Sequence, residues 1–374
     1  MSGREFIGMM AMLQALQALA IDVMLPALGV IAGDLGAADP NDRQLVIGVF
    51  LISSGLASLF PGMFADRFGR RPVVLLCLAA YFTISVASVF VRDFAALLIL
   101  RALLGVFTAG MLIMPMTIIR DRFEGDRMAR FQSLVAMVFM VVPMLAPLLG
   151  QGVLLVAGWR WIFAVMAILA LVVGVWVWGR LPETLQPENR QSIRPLAIIG
   201  NMGLALSHRV AIGYFLGTAL VQAAILGYIN SSQQLMAEAL GAGAAFPAIF
   251  GGMAFLMAST NFVNSRIVEH FGARRVSHTA MLVYILVCAL HFWLVSQERV
   301  TLWSFVALMT VSMCLMSFIA SNFQAIAMQP FARIAGSAAS VLSFIRLVTG
   351  ATLGLWIGQA FDGTARPLVG AMLA

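Results

Sequence analysis

The sequence predicts an all-α integral membrane protein made of two related six-helix halves. Three observations predict it. Of its 374 residues, 61% are apolar and only 10% charged, with a mean hydropathy of +0.97; a water-soluble fold of this size needs more polar surface. Apolar runs of about 18–27 residues, long enough to cross a bilayer as helices, recur along the chain. Finally, Gly62-Met63-Phe64-Ala65-Asp66-Arg67-Phe68-Gly69-Arg70-Arg71 is echoed 203 residues later by Ser265-Arg266-Ile267-Val268-Glu269-His270-Phe271-Gly272-Ala273-Arg274. The phenylalanines and glycines coincide, an acid stands at both Asp66 and Glu269, and arginines follow in each copy.

Taken in order, the first half is predicted to cross the membrane at 6–31, 44–63, 72–91, 94–119, 131–157 and 161–178. The second half is predicted to cross at 210–230, 244–268, 276–295, 302–323 and 337–361. The motif at 62–71 reads as a charged, glycine-punctuated hinge between the second and third spans. A twelfth run begins at Pro367 and the sequence stops at Ala374, too short to span, so the last helix is expected to be incomplete. This gives an N-terminal bundle over 1–180, a linker over 181–209 and a C-terminal bundle over 210–374. Repeated halves of this kind belong to secondary transporters. The N-terminal stretch lacks a convincing signal-peptide cleavage pattern and is expected to stay as a span.

Charge sets the expected orientation. All 23 basic residues are Arg. With the N-terminus cytoplasmic, sixteen of them fall on the cytoplasmic side and five on the other, a clear positive-inside bias. The net charge of +7 is spread over short loops and forms no basic face, so nucleic acid is not an expected partner. Cys77, Cys288 and Cys314 stand apart inside apolar runs and read as small core residues. His208, His270, His278 and His291 are not in metal spacing, and no metal or cofactor is expected. There is no Gly-x-x-x-x-Gly-Lys-Ser/Thr loop for ATP, so ATP-driven pumping by this chain is not expected.

Three charges lie inside apolar spans: Asp22, Arg101 and Arg346. A charge at that depth costs about 2.5–3.5 kcal/mol on insertion scales and usually faces a partner or a watery cavity. Helical rise puts Asp22 about 13 Å and Arg101 about 10 Å from the same membrane face. They are therefore expected to share a cavity, either as proton-coupling groups or as a structural ion pair that orients two helices. A carboxylate between desolvation and a nearby cation can change charge as protons and substrate compete for the site, the linkage an antiporter requires. Arg346 is expected to face a cavity, with substrate contact, pairing between halves and snorkelling as its possible roles.

Several motifs carry a resemblance. Gly62-x-x-x-Asp66-Arg67-x-Gly69-Arg70-Arg71 resembles the loop 2–3 signature of the major facilitator superfamily, and Arg101-Ala-Leu-Leu-Gly105 its helix 4 arginine motif. Asp22-x-x-Leu25-Pro26 and Phe139-Met-x-x-Pro143-x-x-Ala146-Pro147-x-x-Gly150 are similar to the bicyclomycin/chloramphenicol-resistance group of drug/proton antiporters. So are Asn322 through Met328, Ala335 through Arg346, and Gly358-Gln359-x-Phe361-Asp362-Gly363. The likeness covers nearly the whole chain.

The resemblance implies a major facilitator fold in a bacterial cytoplasmic (inner) membrane, most simply as a monomer, that exports small amphipathic drugs in exchange for protons. Transport of one specific metabolite, or a non-transporting sensor, are the alternatives. Asp66 is implied to latch the outward-open state near the start of the helix at Ser337, and Arg70 to pair with Asp121. Gly62, Arg67, Gly69 and Arg71 complete that gating motif. Pro143, Ala146, Pro147 and Gly150 form the antiporter segment of helix 5, although Val142, Ala146 and Gln151 stand where the general motif has glycines. Candidate cavity residues are Gln14, Met24, Met111, Met140, Asn230, Asn322 and Arg346, the methionines because thioethers repack around varied ligands.

Overall fold

A computed structural model of the protein describes residues 1–123, 125–185, 203 and 207–374, and every regular element among them is helical. Ten described helices are long and apolar enough to cross a membrane, eleven when one bent pair counts as a single span, the number the sequence predicts. The chain divides into two compact units, Met1–Pro195 and Leu196–Ala374. Most of the expected linker at 181–209 lies outside the described residues.

In the first unit, α1 (Gly3–Asp22) opens with a capping box between Ser2 and Glu5. Glu5 also takes both forks of Arg180 at 2.8 and 2.9 Å, tying the start of α1 to the end of α8 (Arg160–Arg180). The run predicted over 6–31 is not one continuous helix. It unwinds after Asp22, passes through a 3₁₀ turn at Leu25–Ala27, and resumes as α2 (Leu28–Asp34). Pro26 is the cause, because it has no N–H to return to the carbonyl four residues back. The Met24 N–H already reaches only to Ile21, at 3.3 Å, which leaves the Ala20 carbonyl without its helical donor.

The second predicted span is also broken. It consists of α3 (Leu45–Ala57) and α4 (Pro61–Phe68), part of a pair bent by 49°. Pro61 opens α4, where a missing N–H does no harm. The motif at 62–71 is thus mostly helix rather than hinge. The turn itself is Gly69 alone, with φ of +104°, after which α5 (Arg70–Val89) begins. Then follow α6 (Phe94–Arg122), capped by Asp93, and α7 (Gly125–Ala157), which carries Pro143 and Pro147 inside it. Small residues let these helices touch backbone to backbone. Gly105 of α6 lies against the Phe50 carbonyl and the Ser53 hydroxyl of α3, and Gly150 of α7 against the Val23 carbonyl.

The second unit repeats the theme. Its first membrane-length helix among the described residues, α9 (Arg209–Ser232), runs into a π-helical stretch at Gln233–Ala239. Next come α10 (Phe246–Phe271), α11 (Ala273–Ser296), α12 (Leu302–Met328), α13 (Ala335–Gln359) and the short α14 (Arg366–Leu373). Between α10 and α11 the whole connection is Gly272, with φ of +80°, the counterpart of Gly69. The internal repeat therefore reaches down to backbone angles that glycine adopts without strain. Gly350 and Gly354 of α13 pack onto Gln222 and Leu226 of α9, and α14 is held where the Tyr284 hydroxyl donates to the Met372 carbonyl at 2.9 Å.

Candidate functional site

The unwound turn of the first span organises the first unit's polar interior. Arg101, fully buried on α6, donates from Nη2 to the Ala20 carbonyl at 2.8 Å and from Nε to the Val46 carbonyl at 2.9 Å. Its guanidinium also lies 4.5 Å from the centre of the Phe50 ring, a cation–π contact that helps offset its desolvation. One side chain thus clasps α1, α3 and α6, and it takes the acceptor that the helix break releases. Four residues before Ala20, the Leu16 carbonyl accepts from the buried Tyr81 hydroxyl at 2.9 Å.

Asp22 is two residues beyond the clasped carbonyl and buried, with 6% of its surface exposed. Arg101 reaches a carbonyl two residues from Asp22, but no hydrogen bond or ion pair joins the two side chains among the described residues. The reading of an orienting ion pair is therefore corrected: Arg101 orients helices through backbone carbonyls, not through the carboxylate. Helical rise fixes the height of a side chain and says nothing about its azimuth. The antiporter segment joins the same region, since Gly150 lies on the carbonyl of Val23, the residue after Asp22. In that segment Ala146 and Pro147 are buried and Pro143 is half-buried.

The candidate cavity residues divide. Met24 and Met111 are fully buried in the first unit's core, Gln14 is half-buried, and the side chain of Met140 lies outside the described residues. In the second unit Asn322 is occupied: its Nδ2 donates to Asn264 Oδ1 at 2.9 Å and to the Phe318 carbonyl at 2.8 Å. Asn230, on α9 just before the π-helical stretch, is buried with neither amide atom hydrogen-bonded. Arg346 is half-buried on α13 and has no hydrogen bond or ion pair among the described residues. Asn230 and Arg346 are the two candidates of this unit whose polar groups are uncommitted.

The gating motif assembles around Arg70. Its Nη1 lies 2.7 Å from Asp66 Oδ1 and its Nε 2.8 Å from Asp121 Oδ2, so the implied pairing with Asp121 is present. Arg70 itself is buried, and its guanidinium bridges two separate carboxylates. Arg71 donates to the Trp178 carbonyl at 2.6 Å. Arg67 is exposed and stacks 5.3 Å from the Phe68 ring, and Gly62 has open space around it. The implied latch to Ser337 falls on a side chain outside the described residues.

One participant escaped sequence reasoning. Glu183 returns from the end of α8 and accepts from the backbone N–H groups of Arg70 and Arg71, at 2.9 and 3.2 Å. It caps the N-terminus of α5 from 113 residues away, where helix N–H groups and dipole both favour a carboxylate. Thr184 adds a bond from its hydroxyl to Asp121 at 3.2 Å. Only the acid in Leu181-Pro182-Glu183-Thr184, just beyond the sixth span, could have signalled this. Among the described residues no group of three or more His, Cys, Asp or Glu gathers in metal-binding proximity.

Fold and site together define a multi-pass helical membrane transporter. The profile of the Major Facilitator Superfamily matches residues 10–354, and the chain belongs to that superfamily. It is 25% identical over 367 residues to a bicyclomycin resistance protein homolog of Haemophilus influenzae, covering 97% of this chain and 91% of that one. To the multidrug resistance protein MdtL of Klebsiella pneumoniae it is 28% identical over 360 residues, covering 95% and 88%. Among solved structures it resembles a D-xylose–proton symporter with a TM-score of 0.73 at 14% identity, over 99% of this chain and 94% of that one. It is a transporter and not an enzyme.

Proposed function

We propose that the protein exports small amphipathic compounds, antibiotics among them, across a bacterial inner membrane in exchange for protons, by alternating access and with its N-terminus in the cytoplasm. The observation that carries this reading is Asp22, a buried carboxylate at an unwound turn with no hydrogen-bonding or charged partner among the described residues. As an anion such a group is costly in the membrane interior; a bound proton removes the cost, and water or a cationic substrate group offsets it. Discontinuous spans with freed backbone groups are also where transporters of this general design bind ions and substrates. Two relatives named for drug resistance over most of their length agree in class.

The test is transport in reconstituted vesicles under an imposed pH gradient. Wild-type protein is expected to move a cationic dye against the gradient, and Asp22→Asn to lose at least about tenfold of the proton-driven rate while still exchanging substrate downhill. Full gradient-driven export by Asp22→Asn would sink the coupling role of this residue.

A further inference from the structure

A groove of about 670 Å³ opens on the first unit between α4, α5 and α6. No step proposed above uses it. Its walls are apolar: Phe60, Phe64 and Phe68 from the bent span, Leu76 from α5, and Val106 and Phe107 from α6. Phe60, Phe64, Phe68, Leu76 and Val106 are all exposed. In a chain that spans the membrane, an exposed apolar surface meets lipid. Along α4 the wall runs from Pro61 to Phe68, about 10 Å of helical rise.

The two ends of the groove differ. At Ala57 it is wholly apolar. At Phe68 it ends under Arg67, whose guanidinium stacks on that ring. Arg70 and Arg71 nearby are committed, to Asp66 and Asp121 and to the Trp178 carbonyl. Arg67 makes no hydrogen bond or ion pair among the described residues, so its donors remain available. An apolar slot with a free guanidinium at its mouth is complementary to an amphiphile with a long chain and an anionic head.

We propose that this groove holds an acyl chain of an anionic phospholipid from the leaflet on the Arg-rich side, with the headgroup phosphate on Arg67. The site is independent of substrate and of Asp22, so its test needs no transport.

Full-length protein in vesicles is photolabelled with phosphatidylglycerol carrying a diazirine in the acyl chain, and the labelled residues are mapped. Label is expected to concentrate on Phe60, Phe64, Leu76 and Val106 over the exposed Ile168 and Val172 of α8, which line no groove. Unlabelled phosphatidylglycerol should displace it about fivefold better than phosphatidylcholine, the effect of one Arg at the membrane surface. Arg67→Gln should bring the two lipids to parity, and Val106→Trp, which fills the slot, should cut groove labelling severalfold with α8 labelling unchanged. Uniform labelling of all lipid-facing residues, an intact headgroup preference in Arg67→Gln, or displacement by a cationic dye but not by lipid would each overturn the proposal. A thermal melt of each variant verifies folding.

Discussion

Arg101 shows why a charged residue in an apolar span is not always half of an ion pair. Its two carbonyl partners ask for a planar fork at fixed spacing, which an ammonium cannot supply. Arg101→Lys is therefore expected to lower stability by about 2 kcal/mol, read as a fall in the melting temperature in detergent, and Arg101→Ala by more, since both carbonyls then lose a charged donor. Asp22→Asn, by contrast, removes no described contact and should melt within about 0.5 kcal/mol of wild type. Opposite results, with Asp22→Asn strongly destabilised and Arg101→Lys unchanged, would assign the structural role to the acid. Helical rise along the sequence gives each charge an expected depth. It could not tell that a carbonyl would be free at Ala20, because that vacancy depends on the Met24 N–H turning to Ile21.

At the scale of elements, the two single-glycine connections make a controlled comparison. Both hold positive φ, but a Cβ at Gly69 would overlap the Glu183 carboxylate, whereas at Gly272 it would meet open space. Gly272→Ala should cost only backbone strain, about 1 kcal/mol, and Gly69→Ala should cost about 2–3 kcal/mol because the cap must also move. Glu183→Gln keeps the shape of the cap and loses its charge on the helix end, about 0.5 kcal/mol. Paired melts of the three variants check the order. The spans themselves were legible from hydropathy, and the pairing of Arg70 with Asp121 from the motif. The breaks were not: Pro26 and Pro61 were visible as letters, yet a hydropathy run does not change when a helix bends. Glu183 was illegible for another reason, since its partners are backbone groups that leave no mark on side-chain spacing.

For the whole molecule, the export proposed above requires the gating motif to release and re-form in each turnover. Arg70 holds Asp66 and Asp121 together, with Glu183 and Thr184 closing the ring from the end of the first unit. Asp66→Asn should weaken one arm of this network and slow substrate turnover severalfold at unaltered expression. Transport at the wild-type rate would rule out a gating role for that acid. The halves could be read from the 203-residue echo taken with the recurring apolar runs, and Phe68 and Phe271 with Gly69 and Gly272 keep the same spacing and the same turn.

The clasp of Arg101 on two earlier helices has a consequence for biosynthesis. A nascent chain emerges from its amino end, so the carbonyls of Ala20 and Val46 are already in the bilayer when α6 leaves the translocon. The guanidinium then enters hydrocarbon with acceptors waiting rather than bare. A permuted gene that places α6 ahead of α1 and α3 keeps every contact of the finished fold but reverses that order. It should give a smaller membrane-inserted fraction than the natural order, and Arg101→Leu in the permuted chain should restore it.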